Sequence, residues 1–217
     1  MVITYYGLSC FKVQSGDLVI AVNPYDKEAG LTPPRFQTDI ALVSKDTPLF
    51  NNTEALAQKG DSEAFVITGP GEYEVQGVRV RGFPSFPEKG KSGVINTVYA
   101  IEFEGMRVVF MGGYEEKTLR DELHEAIGTP DILCIPVGGG DVIDAEVAAK
   151  TINIIEPRIV VPTHYKISGT KEKHDSVEVF LKEIGEKPKS EERLTIKKKE
   201  VPTDTQRIVL LDALAKG

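Results

Sequence analysis

Three histidines, at positions 124, 164 and 174, are all the imidazoles this chain has, and one of them stands where chemistry is easy to arrange. His164, in Thr163-His164-Tyr165, follows the apolar run Ile159–Pro162, at the end of a predicted strand. There it can serve as a general base or contact an anion, given a carboxylate from Asp46, Glu72, Asp141 or Asp144. The plainer reading is an imidazole held by hydrogen bonds at its strand end. Lys45, in Ser44-Lys45-Asp46-Thr47-Pro48-Leu49-Phe50, offers an ammonium that could pair with Asp46 or Glu72. Its plainer reading is a head that reaches solvent on an apolar stem. Gly138-Gly139-Gly140-Asp141 lies between a predicted strand and a predicted helix, where backbone N–H groups can face an anion. No Gly-Lys-Ser/Thr follows, so it is not a P-loop. Gly139, Gly140, Asp141 and Tyr165 form the predicted ligand-binding group. His124 lies among Glu122 and Glu125 and reads as a surface residue. His174 lies in the charged stretch Lys171-Glu172-Lys173-His174-Asp175, just before a helix. A nucleophilic serine finds no support, because no Gly-x-Ser-x-Gly elbow is present.

The elements that must position these groups change rhythm along the chain. In the first half, short strands at Val2–Tyr6, Cys10–Gln14 and Leu18–Val22 are separated by tight turns, with a hairpin at Ser15-Gly16-Asp17. Asp39–Val43 and Ala64–Thr68 read as buried strands, and Glu54–Lys59 as a short helix with Thr53 as N-cap. Gly69-Pro70-Gly71 is a turn. Asn96–Phe103 and Met106–Met111 form a hairpin across Glu104-Gly105. The second half predicts helices over Glu115–Ile127, Ala145–Ile155 (capped by Asp144) and Ser176–Ile184, alternating with strands at Ile132–Val137 and Ile159–Pro162. Leu194–Lys198 and Arg207–Asp212 are predicted final strands. This order predicts two packed sheets with helices outside.

Composition bounds the rest. Hydrophobic residues make up 41% of the 217 residues, enough for a substantial core in one domain. The net charge of −7 argues against nucleic acid and against anionic lipid, both of which need a cationic surface. No apolar run approaches the roughly 20 residues that span a bilayer, and the expected location is the cytoplasm. Cys10 and Cys134 each sit in an apolar run and are expected as buried thiols rather than a disulfide.

Several motifs, taken in order, carry a resemblance. They are Gly7-Leu8-Ser9-Cys10-Phe11, Pro24-Tyr25, Ser44, Gly69-Pro70-Gly71-Glu72-Tyr73-Glu74-Val75 and Asn96-Thr97. Asp131 through Gly139 and Pro157 through Tyr165 complete them. Together they resemble the metallo-β-lactamase superfamily, in the branch of ascorbate-6-phosphate-lactonase-like and other Zn-dependent hydrolases. The resemblance implies an α+β fold, a four-layered αββα sandwich over residues 1–217, with a metal site at one edge between the sheets. It also implies a His-rich loop after a strand, yet here those ligand positions hold Lys45, Thr47, Leu49 and Phe50. The branch's first His corresponds to Leu8, its bridging Asp to Gly113 and the Asp of its Asp-Pro to Asn23. Only His164 is retained. One imidazole cannot hold zinc, which in catalytic sites takes three protein ligands and a water. Apolar side chains such as Leu8, Leu49 and Phe50 would instead fill the space, each gaining roughly 1.5–3 kcal/mol on burial. The expectation is therefore a non-catalytic member with no metal and no cofactor. It would bind a small anionic ligand or a protein partner, a second copy of itself included. The alternative is a zinc-dependent lactone or phosphoester hydrolase rebuilt around His164, with Lys45, Asp46 and Glu72 as further catalytic candidates.

Overall fold

The computed structural model describes residues 1–87 and 93–214. The first sheet contains β1 (Val2–Gly7), β2 (Cys10–Ser15), β3 (Leu18–Val22), β4 (Ile40–Leu42), β5 (Phe65–Ile67) and the short β13 (Leu194–Thr195). Their order is β13-β1-β2-β3-β4-β5, antiparallel through the β1–β3 meander and parallel from β3 to β5. The second sheet contains β6 (Gly71–Val75), β7 (Val78–Ser85), β8 (Asn96–Phe103), β9 (Met106–Phe110), β10 (Ile132–Pro136), β11 (Ile159–Thr163) and β14 (Arg207–Ile208). Its order is β14-β11-β10-β9-β8-β7-β6, antiparallel over β6–β9 and parallel beyond. β12 (Ser190–Glu191) and β15 (Leu210–Leu211) pair with each other.

The sheets face one another because alternation gives strands such as β1 and β7 one apolar side, while β4, β10 and β11 are buried throughout. Ile3, Tyr5, Phe11, Ile20 and Leu42 from the first share one core with Val80, Val98, Val108 and Phe110 from the second. The rings of Phe11 and Phe110 meet across the gap at 5.5 Å. Tyr99 fixes the register between sheets, its hydroxyl donating to the carbonyls of Val43 (2.9 Å) and Ile67 (3.2 Å). The outward side of β3 and β4, Val19, Ala21 and Ala41, is covered by Phe36 and Leu56 from the long connections. The helices α1 (Asp121–Ile127), α2 (Ala145–Ile155) and α3 (Val177–Glu183) all follow β9, and their Leu123, Ile152 and Phe180 join the main core.

The predicted hairpins at Ser15–Asp17 and Glu104–Gly105 and the helix Ala145–Ile155 form as read. Five elements differ. The predicted final strand Arg207–Asp212 is two short strands, β14 and β15, in different sheets. The predicted helix from Glu115 begins only at Asp121, because Glu115 and Glu116 turn their carboxylates to Lys45, Arg120 and the Phe86 N–H. Thr53–Ala55 is a single 3₁₀ turn after Asn52, not a helix capped by Thr53. The strand at Phe65–Ile67 lies at a sheet edge with Phe65 and Val66 exposed, rather than buried. The strand from Leu194 stops at Thr195, and Lys198–Glu200 forms a 3₁₀ turn. Cys10 and Cys134 are buried free thiols. No helix among the described residues is long and apolar enough to cross a membrane.

Candidate metal centre

Two connections at one end of the sheets bring Asp141, His164 and His174 together. The connection from β10 to α2 supplies Asp141, and the connection from β11 to α3 supplies both histidines. That second connection is tied back on itself and to the first. Lys166 N–H donates to the Asp175 carbonyl (2.9 Å) and Asp175 N–H to the Gly138 carbonyl (2.8 Å). Gly138 is required by the close approach: a Cβ there would overlap the His164 carbonyl oxygen and lie 2.9 Å from His174 Cβ. His164 takes a left-handed backbone (φ 53°), with its N–H donating to the Leu8 carbonyl at 2.8 Å.

One ligand atom from each of the three residues lies within 4.8 Å of the others. His174 Nε2 is 2.8 Å from Asp141 Oδ1, and His164 Nε2 is 4.0 Å from Asp141 Oδ2. Partial burial disfavours charge on Asp141, yet the His174 hydrogen bond and the neighbouring imidazoles hold its carboxyl down at about 2. An ionised carboxylate only accepts, so the shared hydrogen belongs to His174 Nε2. Complete burial pushes the His164 imidazole down to about 3, against the upward pull of Asp141 and with help from His174 and Lys45. His164 is therefore neutral at physiological pH.

Its tautomer follows from Ser9. The Ser9 hydroxyl has one hydrogen, which donates to the Gly112 carbonyl at 3.1 Å. We assign the 2.8 Å contact between Ser9 Oγ and His164 Nδ1 on that basis as an Nδ1–H donating to oxygen. The lone pair is left on Nε2, which is buried and has no hydrogen-bond partner among the described residues. A neutral imidazole fixed at Nδ1, with its free lone pair turned toward a carboxylate and a second imidazole, is the donor set zinc prefers. Two imidazoles and a carboxylate supply the three protein ligands of a catalytic zinc. The residues present fit one such ion.

Around this trio, Phe50 stacks on His164 (ring centroids 5.7 Å, 13° between planes), and His174 meets it edge-on at 4.8 Å. The position of Gly113 is already full, since a Cβ would sit 2.9 Å from both Lys45 Cε and Phe50 Cζ. Leu8 is buried with Cys10, Tyr25 and Leu31, while Leu49 packs at the margin of that cluster. Asn23 accepts from Ser44 N–H at 2.8 Å and so anchors the turn into Lys45. A cleft of about 650 Å³ opens beside Asp141 and Gly140, with Lys45, Thr47, Leu49 and Phe50 along its wall.

Of the residues singled out by sequence, His164 and Asp141 come together, and Lys45, Thr47, Leu49, Phe50 and Gly140 lie along the cleft beside them, while Asp46, Glu72, Gly139 and Tyr165 have other partners or places. Lys45 pairs with Glu115 at 2.9 Å, not with Asp46 or Glu72. Asp46 is exposed and accepts from Asn51 Nδ2. Glu72 lies exposed on edge strand β6, opposite Arg81. The Gly139 N–H donates to the Ile143 carbonyl at 3.1 Å, which removes it as an anion donor. Tyr165 turns into the core, its hydroxyl donating to the Leu211 carbonyl. His174 is the residue that sequence reasoning passed over. Its charged neighbours point to solvent, yet its side chain is 1% exposed. The available signal was a second histidine one short loop after the first, beside a Gly-rich turn ending in Asp141.

The β-lactamase superfamily domain profile matches residues 2–164. A UPF0173 metal-dependent hydrolase from Thermococcus onnurineus is 30% identical over 188 residues, covering 75% of this chain and 84% of that protein. A UPF0173 metal-dependent hydrolase from Thermoplasma acidophilum is 26% identical over 75% of this chain and 82% of its own length. The crystal structure of a candidate Zn-dependent hydrolase of the metallo-β-lactamase superfamily from Thermotoga maritima superposes with a TM-score of 0.76. It is 25% identical and covers 97% of this chain and 98% of that one. These relatives, with the Asp141–His164–His174 trio, overturn the expectation of a non-catalytic chain without metal or cofactor. That expectation counted only the positions where the family's usual ligands were sought, and a donor set assembled by His174 lies outside them. By its matched profile and its two mixed sheets, the chain belongs to the β-lactamase superfamily and has the metallo-β-lactamase fold.

Proposed function

We propose that this chain is a metal-dependent hydrolase, acting on a lactone or a phosphoester, whose single divalent cation is held by Asp141, His164 and His174. The observation that carries the reading is the bare His164 Nε2, buried, neutral and aimed at an ionised carboxylate. When bound, a cation of the zinc class polarises a carbonyl or phosphoryl oxygen and acidifies water. The chain's own residues do the rest. Ser9 holds the His164 ring in the donating tautomer, and Phe50 covers its face against water. Asp141 stays ionised and accepts from His174 Nε2, which would give up that hydrogen on taking the cation. The cleft beside Asp141 admits a small substrate from one side, and the apolar Leu49 lines its wall. The relatives' names support hydrolysis, and the donor set supports one ion.

The test is metal content with activity. The protein purified without chelator should carry about one zinc, manganese or iron per chain. Chelation should remove both the metal and hydrolysis of a lactone or phosphodiester panel. His164→Ala and His174→Ala should each abolish the rise in Tm on zinc addition. A metal-free wild type with no zinc-dependent Tm shift and no hydrolysis would defeat the proposal.

A further inference from the structure

Among the described residues, Lys45 is the one cationic side chain lining the cleft beside Asp141; the other charged residues lining that cleft are Glu28, Glu115 and Glu172. Its side chain is 11% exposed and that of its partner Glu115 is 18% exposed. A surface lysine would extend its head into water; this one is kept inside. The stem is held by shape. It fills the space beside Gly113, and Nζ lies 5.9 Å from the centroid of the Phe50 ring that covers His164. Of the three ammonium hydrogens, one goes to Glu115 Oε1 at 2.9 Å, its only side-chain or backbone acceptor among the described residues. Two donors remain on a fixed, poorly hydrated cation at the wall of the cleft. Such a group is worth most where negative charge develops, because it needs no reorganisation when that charge appears. Hydrolysis of an ester, lactone or phosphoester develops negative charge on oxygen at a tetrahedral or phosphoryl centre.

We propose that Lys45 is the oxyanion contact of this cleft and that its ligand is a tetrahedral oxyanion, with Glu115 the carboxylate that the ammonium rests against. This deepens the metal-dependent hydrolase reading and rests on it for the reaction, but not for the binding of the anion. Lys45 and Glu115 lie on the connections after β4 and β9, so the pair also bridges the two sheets at the mouth of the site.

Inorganic phosphate is the probe, titrated by calorimetry into the full chain with zinc and again after chelation. Lys45→Met should weaken phosphate binding about tenfold or more, with zinc affinity within about threefold of wild type. Lys45→Arg should retain binding within about threefold, because the charge stays. Glu115→Gln should bind phosphate at least as tightly as wild type, since a repelling carboxylate is gone and the cation remains. A purely structural ion pair behaves differently: both variants lose thermal stability and neither changes phosphate affinity. Equal phosphate affinity in wild type and Lys45→Met overturns the proposal, and so does wild type that binds no phosphate in either form. If Lys45→Met does not fold, Glu115→Gln decides, and a tenfold loss there also overturns it. Failure of the metal reading looks different, because wild type would then take up no zinc while the chelated form still reports the Lys45 dependence.

Discussion

At the scale of single residues, the site depends on a hydroxyl that never meets solvent. Ser9 is 3% exposed and joins His164 Nδ1 to the Gly112 carbonyl, so it sets which imidazole nitrogen carries the lone pair. Partners of this kind typically contribute 10–100-fold to metal affinity. Ser9→Ala should therefore weaken zinc binding by about that factor in a competition titration, with a loss of stability of about 1–3 kcal/mol. Unchanged zinc affinity would show that the tautomer is fixed by something else. Asp141 and His164 were legible as chemistry because one ends a strand and the other ends a Gly-rich turn. His174 was not, because Lys171, Glu172, Lys173 and Asp175 give its segment the composition of a solvated loop. What buries it is the missing Cβ at Gly138 and backbone bonds between distant residues, and no local pattern encodes those.

At the scale of elements, α2 carries the turn that holds Asp141. Its N-cap Asp144 accepts from Val147 N–H at 2.9 Å, three residues beyond Asp141. Asp144→Ala should cost about 1 kcal/mol in urea unfolding, and Asp144→Asn much less. Equal losses in the two would mean that charge, not the cap bond, stabilises this end. This helix was legible to the residue because its apolar spacing, cap and following Pro157 all agree. α1 was overextended because Glu115 and Glu116 have helix-forming composition, and their tertiary partners override it. β5 was misread in burial, not in type. An apolar run such as Phe65-Val66-Ile67 fits a central strand or an edge equally well, and only the sheet order puts it outermost.

At the scale of the whole molecule, the two sheets form a core that owes nothing to the ion, and charge on the second sheet tunes its stability. Glu102 is bonded by Arg107 (2.8 Å) and lies near Arg79 and Arg81. The Arg107 hydrogen bond, with the guanidinium charges, holds its carboxyl below the ordinary 4.5 against a smaller effect of burial. A lowered folded value means the contribution is full above the unfolded carboxyl value and is lost as pH falls through the folded one. Glu102→Gln should thus be less stable than wild type near neutrality, by about 1 kcal/mol or less for so open a cluster, and equal to it in strong acid. A difference independent of pH would refute the charge assignment. The two-sheet fold was legible from the order of strands and turns, whereas a metal centre made by two loops was not, since it exists only once β10 and β11 lie side by side. Anomalous diffraction from crystals grown with zinc tests that centre most directly. One peak per chain is expected, ligated by Asp141, His164 and His174. A peak elsewhere, or full zinc occupancy after His164 and His174 are both replaced by alanine, would contradict it.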